Sequence, residues 1–191
     1  MKKIVLVLLS IGMLLSCSND DDDNLLTESP NPIDSGLARA QKNGKDWQSH
    51  IYAIQRNETS NYFGIILSVY DGEGIRRQSL GFINLEKDTL TATVKPSSST
   101  DDRLNAALFA TLAADGDVLC DVFEVYEPDS LTNTITITEF NERTKEVRGK
   151  FNVTFIKDTE RRPCDPNAPE FIRFTNGEFH TELINDEELE N

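Results

Sequence analysis

The sequence predicts an all-β protein: a single domain of about ten strands in an antiparallel meander, closed as a lipocalin-like barrel or folded over as a β-sandwich. Three observations support this. From Leu37 onward, short segments alternate between apolar and polar residues. Turn residues separate these segments every 8 to 15 residues or so. Helical periodicity is almost absent, which leaves no room for crossover helices and favours antiparallel pairing.

The first part of the domain contains two hairpin signals. In "LARAQKNGKDWQSHIYAI", Asn43-Gly44 separates two alternating stretches, and both residues tolerate the positive φ angles of a type I′ turn. In "YFGIILSVYDGEGIRRQSLGFINL", residues 71–74 form the connection. One face of the strand before that connection carries Phe63, Ile65, Leu67 and Val69.

The middle of the domain continues the alternation. Leu90, Ala92 and Val94 alternate with threonines before the polar loop "PSSSTDD". Asp115-Gly116 turns the chain into "DVLCDVFEVYEP", and Pro128 ends that strand. Between the loop and the turn, one strand face carries Ala106, Leu108, Ala110 and Leu112.

The last part of the domain contains the clearest hairpin, "TITITEFNERTKEVRGKFNVTFI". Ile135 and Ile137 on its first strand match an apolar row on its second. The final strand, "FIRFTNGEFHTEL", contains Gly177 at a predicted bulge or turn. A meander of this length must close or fold over, because open strand edges invite aggregation. Alternation alone does not decide between a barrel and a sandwich.

The N-terminus predicts export and lipidation. Lys2 and Lys3 precede a short apolar run that is typical of a secretory signal peptide and too short to span a bilayer. The run ends in "LLSC", which looks like a bacterial lipobox and makes Cys17 the lipidated first residue of the mature chain. Several acyl chains would hold the protein at a membrane, since one chain alone binds only marginally.

The residues after Cys17 bear on which membrane face the protein occupies. They resemble the export signal that sends Bacteroidetes-type lipoproteins to the outer face of the outer membrane. A solvated acidic spacer on a periplasm-facing anchor is the alternative interpretation. The residues concerned are Ser18, Asn19, Asp20, Asp21, Asp22 and Asp23.

Composition divides the chain into four segments. Residues 1–16 are the signal peptide, 17–36 a lipidated, acidic and disordered tether, 37–184 the β-domain, and 185–191 an acidic tail. Loss of Lys2 and Lys3 with the signal peptide takes the formal charge from −14 to −16. This charge argues against nucleic acid as a partner, because a nucleic-acid backbone requires clustered positive charge.

The predicted export also bears on the state of the two remaining cysteines. With Cys17 assigned to lipid, Cys120 and Cys164 remain as an even pair in an oxidising environment, which makes a disulfide a candidate. Two free thiols are the alternative. His50 and His180 are isolated and no Cys-x-x-Cys occurs, so no zinc site is predicted.

The sequence contains no recognisable catalytic, metal or cofactor motif. It has no Gly-x-Ser-x-Gly elbow, phosphate loop or His-Glu-x-x-His. The acidic turns at residues 71–74 and 114–117 have oxygen ligands suited to calcium, but turn formation alone explains their Asp-Gly pairs. Aromatic residues could stack on a sugar or pack on strand faces; they are Trp47, Tyr52, Tyr62, Tyr70 and Tyr126.

Three blocks, "AQKNGKDWQS", "ITITEFNERTKEVRGKFNVTF" and "IRFTNGEFHTEL", resemble a family of Bacteroidetes lipoproteins of unknown function. The resemblance implies a β-rich surface lipoprotein and supplies no catalytic residues. We therefore expect a non-catalytic module on the outer membrane, facing the cell exterior, that binds an extracellular ligand or an envelope protein. A structural or interaction protein of the envelope and, less favoured, an uncharacterised hydrolase are the alternatives. A hollow interior would favour a ligand-binding module. A filled interior with an exposed apolar patch would favour an interaction protein.

Overall fold

The computed structural model describes residues 29–55, 57–88, 90–98 and 105–186. They form eleven strands in one mostly antiparallel sheet, with a short 3₁₀ helix at Glu127–Asp129. The all-β prediction is therefore confirmed. In chain order the strands are β1 (Gly36–Lys42), β2 (Lys45–Gln55), β3 (Tyr62–Tyr70), β4 (Arg76–Glu86), β5 (Thr91–Thr93), β6 (Lys95–Pro96), β7 (Ala106–Leu112), β8 (Leu119–Val125), β9 (Thr134–Phe140), β10 (Glu146–Lys157) and β11 (Phe171–Asn185).

The sheet closes on itself as an irregular ring. Antiparallel pairings run from β1 through β2, β3, β4, β7, β8, β10 and β11 back to β1. Beyond Gly36, where β1 begins, strands β2 and β11 pair directly with each other. This pairing is parallel, with Leu183 opposite Ala53. The ring is barrel-like without being a regular barrel, and the alternative of two stacked sheets is not what the described residues form.

The irregularity comes from β10, which has two neighbours on the same side. Its last residues, Phe155 to Lys157, pair with β8, while its earlier residues pair with β9. The short edge strand β5 pairs with β9, and β6 pairs in parallel with β7. The sheet therefore splits next to β10 instead of continuing as an even cylinder.

The predicted turns connect the strands as expected. Asn43 and Gly44 have φ angles of 51° and 77° between β1 and β2. The chain also reverses at residues 71–75 between β3 and β4, and Ala113 N–H donates to the Val118 carbonyl at 2.9 Å between β7 and β8. At the predicted bulge, Gly177 lies opposite Phe151, and the register with β10 shifts directly after this pair. These turns set the register that closes the ring.

The interior of the ring is filled with side chains. Phe109 lies 5.6 Å from Phe123, 6.1 Å from Phe155 and 5.3 Å from Phe174 between ring centroids. Phe151 continues this cluster at 5.4 Å from Phe82. Such distances are those of closely packed aromatic rings. The space that a lipocalin-like barrel would offer to a ligand is thus occupied by the protein's own core.

The segment before β1 packs on the outer surface of the domain. Ser35 N–H donates to the Ile51 carbonyl at 3.0 Å, and the Ser35 hydroxyl lies 2.8 Å from that of Thr181. The Tyr70 hydroxyl donates to Asp34 at 3.0 Å. The last residues of the predicted tether, 29–35, therefore contact the domain. Residues 17–28 of the tether lie outside the described residues.

At the other end of the chain, β11 continues to Asn185, one residue past the predicted domain boundary. The predicted tail beyond Asp186 is outside the described residues. Within the part of the chain that the structure describes, no helix has the length and apolar character needed to cross a membrane.

Candidate functional site

Strand β7 carries apolar residues on both of its faces, with Thr111 as its one polar residue. This is unusual for a ring whose outer surface meets solvent. Its sequence is "AALFATL". Phe109 is fully buried among the interior phenylalanines. The row Ala106, Leu108, Ala110 and Leu112, which the sequence places on one face, therefore points outward. Strands that are buried on both faces have such continuous apolar runs.

The outer face of β7 continues onto its neighbours as an apolar groove. Cross-strand pairing places Ile66 of β3 next to Gly81 of β4, and Gly81 next to Leu108 of β7. Ser79 and Ala110 form the adjacent pair. The groove has a volume of about 280 Å³. It is lined by Ile66, Ser79, Gly81, Ile83, Ser97, Ala106, Ala107, Leu108, Ala110 and Leu119.

The shape of the groove follows from these side-chain sizes. Gly81 and Ala110 are small and form the floor, whereas Ile83 and Leu119 are large and stand 45% and 44% exposed. A Cβ atom added at Gly81 would meet only the Ile66 Cδ1 atom, at 3.5 Å, so the space above this glycine is open. Exposed large apolar side chains around an open depression are typical of a recognition surface.

The lining offers almost no polar chemistry. Its only polar side chains are the hydroxyls of Ser79 and Ser97. Ser97 is already engaged, because its N–H and its hydroxyl both donate to the Glu124 carboxylate at 2.9 Å. The rest of the lining is apolar, so the Ser79 hydroxyl and the Ser97–Glu124 hydrogen bonds are the polar features of the groove.

Charges of both signs lie near the groove. Glu124 lies opposite Leu108 on β8, and on the β6 side Lys95 lies beside Ala106. The exposed Asp115 and Asp117, in the turn before Leu119, line a separate depression together with Arg76.

Cys120 lies on β8, next to Leu119, and forms a disulfide with Cys164 in the loop between β10 and β11. The structure joins the two cysteines with a Cα–Cα distance of 5.3 Å and a sequence separation of 44, in agreement with the predicted pair. This bridge fixes the loop between β10 and β11 to the strand that borders the groove.

A buried ion pair supports the same loop. Lys157 Nζ lies 3.0 Å from Asp121 Oδ1, and the two side chains are only 13% and 2% exposed. The Asp165 N–H donates to Asp121 Oδ2 at 3.2 Å, and Lys157 Nζ donates to the Asp165 carbonyl at 3.1 Å. Nothing in the sequence pattern distinguishes Asp121 and Lys157 from solvated charges, so sequence reasoning missed this pair.

The two acidic turns use their carboxylates within the turns. Asp71 Oδ1 accepts the N–H groups of Ile75 and Glu73 at 3.0 and 2.9 Å, and Arg77 binds Asp71 Oδ2 at 2.7 Å. The backbone N–H of Ile75 is the main cause that lowers the pKa of Asp71. Among the described residues, no group of three or more His, Cys, Asp or Glu side chains is arranged to hold a metal ion.

The aromatic residues do not form a common platform. Trp47 is buried, with its ring 4.9 Å from that of Phe174. Tyr126 packs on Phe171 at 5.1 Å, and Tyr70 packs on His50 at 5.7 Å. Burial raises the pKa of the Tyr70 hydroxyl. Trp47, Tyr70 and Tyr126 thus pack against neighbouring rings, which was the alternative to sugar stacking, whereas Tyr62 is 43% exposed.

Lys42 lies against one end of the core. Its Nζ donates to Gln78 Oε1 at 2.6 Å and lies 5.3 Å from the centroid of Phe109. Gln78 Oε1 also accepts the Trp47 indole N–H at 3.2 Å. Desolvation lowers the pKa of Lys42. The contacts are those of a lysine whose stem covers one end of the core.

The predicted lipidation and export residues lie outside the described residues. These are Cys17, Ser18, Asn19, Asp20, Asp21, Asp22 and Asp23. The groove was not among the sequence-predicted sites. Its one sequence signal is the run of five apolar residues from Ala106 to Ala110 in β7, where a strand with one solvent-exposed face would alternate. Comparisons with protein-family models, curated proteins and solved structures found no match for this chain.

Proposed function

We propose that the protein is a lipid-anchored interaction module of the outer membrane surface, and that it recognises an envelope or extracellular partner through the groove on the outer face of β3, β4 and β7. The observation that carries this proposal is the combination of a filled interior with an open apolar groove on the outside. Recognition then takes place on the ring, with the packed core as its support.

The proposed lipid anchor is compatible with an accessible groove. The sequence attaches lipid at Cys17, and the chain enters the domain beside β3, where Pro30 packs near Gly74. The domain is thereby held at a surface while its apolar groove stays open to neighbouring molecules. Because exposed apolar surface on a soluble domain is an aggregation risk, its retention is best explained by a partner that covers it.

A catalytic role has less support from the described residues. The groove lining has no titratable side chain. The buried Asp121 is already engaged by Lys157 and by the Asp165 N–H. We therefore favour the interaction protein over the hydrolase alternative.

Photo-crosslinking in intact cells tests this function. A photoreactive amino acid replaces Ile83 on the rim of the groove, and in a second strain it replaces Leu131, which is 96% exposed on another part of the surface. The proposal predicts a discrete higher-mass adduct from position 83 that is absent from position 131. Identical adduct patterns from both positions, or no adduct from position 83, would contradict a specific partner at the groove.

A further inference from the structure

We infer that residues 29–35 form a strap that orients the domain on the membrane, with the β3–β4 and β7–β8 turns toward the lipid. This inference rests on the lipid anchor of the proposed function and adds the orientation that the anchor imposes. It follows from the place where the chain enters the ring, the contacts that hold the strap there, and the length of chain between Cys17 and Ser29.

The ring has two ends, which its hairpins define. Strands β1, β2, β3, β4, β7 and β8 are antiparallel in succession, so the turns after β1, β3 and β7 lie at one end, the near end. Strand β11 begins at this end, where the Asn43 N–H donates to the Arg173 carbonyl at 2.8 Å. Farther along β11, Glu182 pairs with Glu146 at the start of β10. The turn before β10, at residues 141–145, therefore lies at the opposite, far end.

The strap meets the domain at the near end. A Cβ atom added at Gly74 would lie 3.1 Å from the Pro30 Cβ atom, so Pro30 lies against the β3–β4 turn. The first strap residues also share one depression with the β3–β4 and β7–β8 turns. It is lined by Pro30, Asn31, Pro32, Tyr70, Gly74, Ile75, Arg76, Asp115, Gly116 and Asp117. The segment that leads to Cys17 therefore starts from this end of the ring.

Hydrogen bonds hold the strap on the outer surface of the ring. The Asp34 carboxylate accepts the hydroxyl of Ser29, within the strap, and that of Tyr70, on β3. Ser35 is bound to β2 through its N–H and to β11 through its hydroxyl. The strap is thus fixed to three strands before β1 begins.

The length of chain before the strap favours the near end as the one that faces the lipid. About 12 peptide units separate Cys17 from Ser29, and they span at most about 43 Å when fully extended. Strand β2, with its 11 residues, covers about 36 Å of the path from the near end to the far end. A far end turned toward the lipid would require most of this length to run back along the ring. A near end toward the lipid requires no such extension.

The charges at the near end do not explain an orientation by themselves. Glu73, Asp115 and Asp117 are exposed in its turns, and Arg76 lies beside the two aspartates. Headgroups of anionic lipids attract clusters of lysine and arginine, and this end carries both signs of charge. The orientation is therefore assigned to the strap contacts and not to attraction by the lipid.

Energy transfer on vesicles measures the orientation. The disulfide occupies Cys120 and Cys164, so the thiol of Cys17 can be coupled to a maleimide lipid in phosphatidylcholine vesicles. An azide-bearing residue that carries the donor dye replaces the exposed Gly72 at the near end or the exposed Glu142 at the far end. Labelled lipid headgroups are the acceptors. The donor at position 72 should lie roughly 10 to 25 Å nearer the lipid than the donor at position 142, given the strand lengths and a barrel-like tilt.

Substitutions in the strap test the cause of the orientation. Asp34→Ala combined with Ser35→Ala removes the side-chain contacts of the strap with β3 and β11. The chain would then leave the ring at Gly36, which pairs with Ile51 partway along β2. Both ends come within similar reach of the lipid, so the difference between the two donor distances should fall by at least half.

Two further variants keep this result interpretable. Tyr70→Phe removes only the hydroxyl that donates to Asp34, and it should reduce the difference even if the double variant does not fold. Asp46→Ala is the matched control, because it removes an exposed carboxylate at the same end of the ring and should keep the wild-type difference. Thermal unfolding verifies that each variant is folded.

Each other outcome overturns a stated part of the inference. Equal distances for the two donors in the wild-type chain, or a nearer donor at position 142, would contradict the orientation. An unchanged difference in the strap variants, or an equal loss in Asp46→Ala, would remove the strap as its cause. The chemical anchor separates this test from the proposed function. A failure of cells to lipidate Cys17, or of position 83 to crosslink a partner, would contradict that function without altering the orientation measured on vesicles.

Discussion

Lys157 shows at the level of single residues how a buried charge depends on its partner. Asp121 is almost fully buried, and Lys157 neutralises it at 3.0 Å. Lys157→Met would leave the carboxylate buried and uncompensated. We expect the free energy of unfolding to fall by about 3 kcal/mol, the scale seen when one partner of a buried pair is removed. Urea denaturation measures this change.

The control for this prediction is a Lys→Met substitution in an exposed ion pair that has the same nitrogen–oxygen distance. Lys150 Nζ is also 3.0 Å from a carboxylate, that of Glu178, but the two side chains are 64% and 67% exposed. Lys150→Met should cost less than about 0.5 kcal/mol, because exposed ion pairs are screened by water. Equal losses in the two variants would show that the Asp121–Lys157 pair is not desolvated as the structure indicates.

Gly177 illustrates a residue required by close packing. A Cβ atom at this position would lie 2.6 Å from carbon atoms of the Phe151 ring, and that ring is held in the core by Phe82 and Phe174. Gly177→Ala should therefore lower the stability by about 1 to 3 kcal/mol through overpacking. Thermal unfolding of Gly72→Ala, in an open turn, provides the comparison and should be close to wild type.

The disulfide acts on whole elements, because it ties β8 to the loop between β10 and β11. Replacing both Cys120 and Cys164 by serine removes the link between two residues that lie 44 positions apart in the sequence. In the loop-entropy model this lowers the free energy of unfolding by about 4 kcal/mol. Denaturation of the double variant against the oxidised wild type measures the loss. A variant as stable as wild type would mean that the loop is fixed without the bridge.

The strand pairings also show which parts of the fold can be predicted from sequence patterns and which cannot. The hairpins at Asn43-Gly44 and Asp115-Gly116 follow from local turn chemistry, so they could be predicted. The position of β11 between β1 and β10 could not, because it depends on pairings far apart in the sequence. The even number of remaining cysteines pointed to the disulfide, whereas the Asp121–Lys157 contact exists only after the ring closes.

The groove was beyond prediction for a related reason. Alternation identifies which residues of a strand share a face, and it placed Leu108 and Ala110 together correctly. It does not say which face points inward. On β7 both faces carry apolar residues. The phenylalanine at position 109, packed among the rings of other strands, shows that Leu108 lies outside.

For the whole molecule, the lipid anchor remains a prediction from sequence. Replacing Cys17 by alanine should abolish lipidation, so that the protein accumulates unprocessed or is released from the membrane fraction. Metabolic labelling with a clickable fatty acid and membrane fractionation measure both effects. Exposure to the medium is tested separately by protease treatment of intact cells. Complete protection of an abundant wild-type protein would contradict the surface location.

The central claim is that the ring is filled and that recognition takes place on its outer face. Titration of the Cys17→Ala mature chain with a fluorescent long-chain fatty acid tests this claim most directly, because a hollow β-ring would take up such a chain lengthwise. We predict that any saturable binding is weak and is lost in Gly81→Leu, where only the outer groove is filled. Tight one-to-one binding that persists in Gly81→Leu would place the site inside the ring and contradict the account.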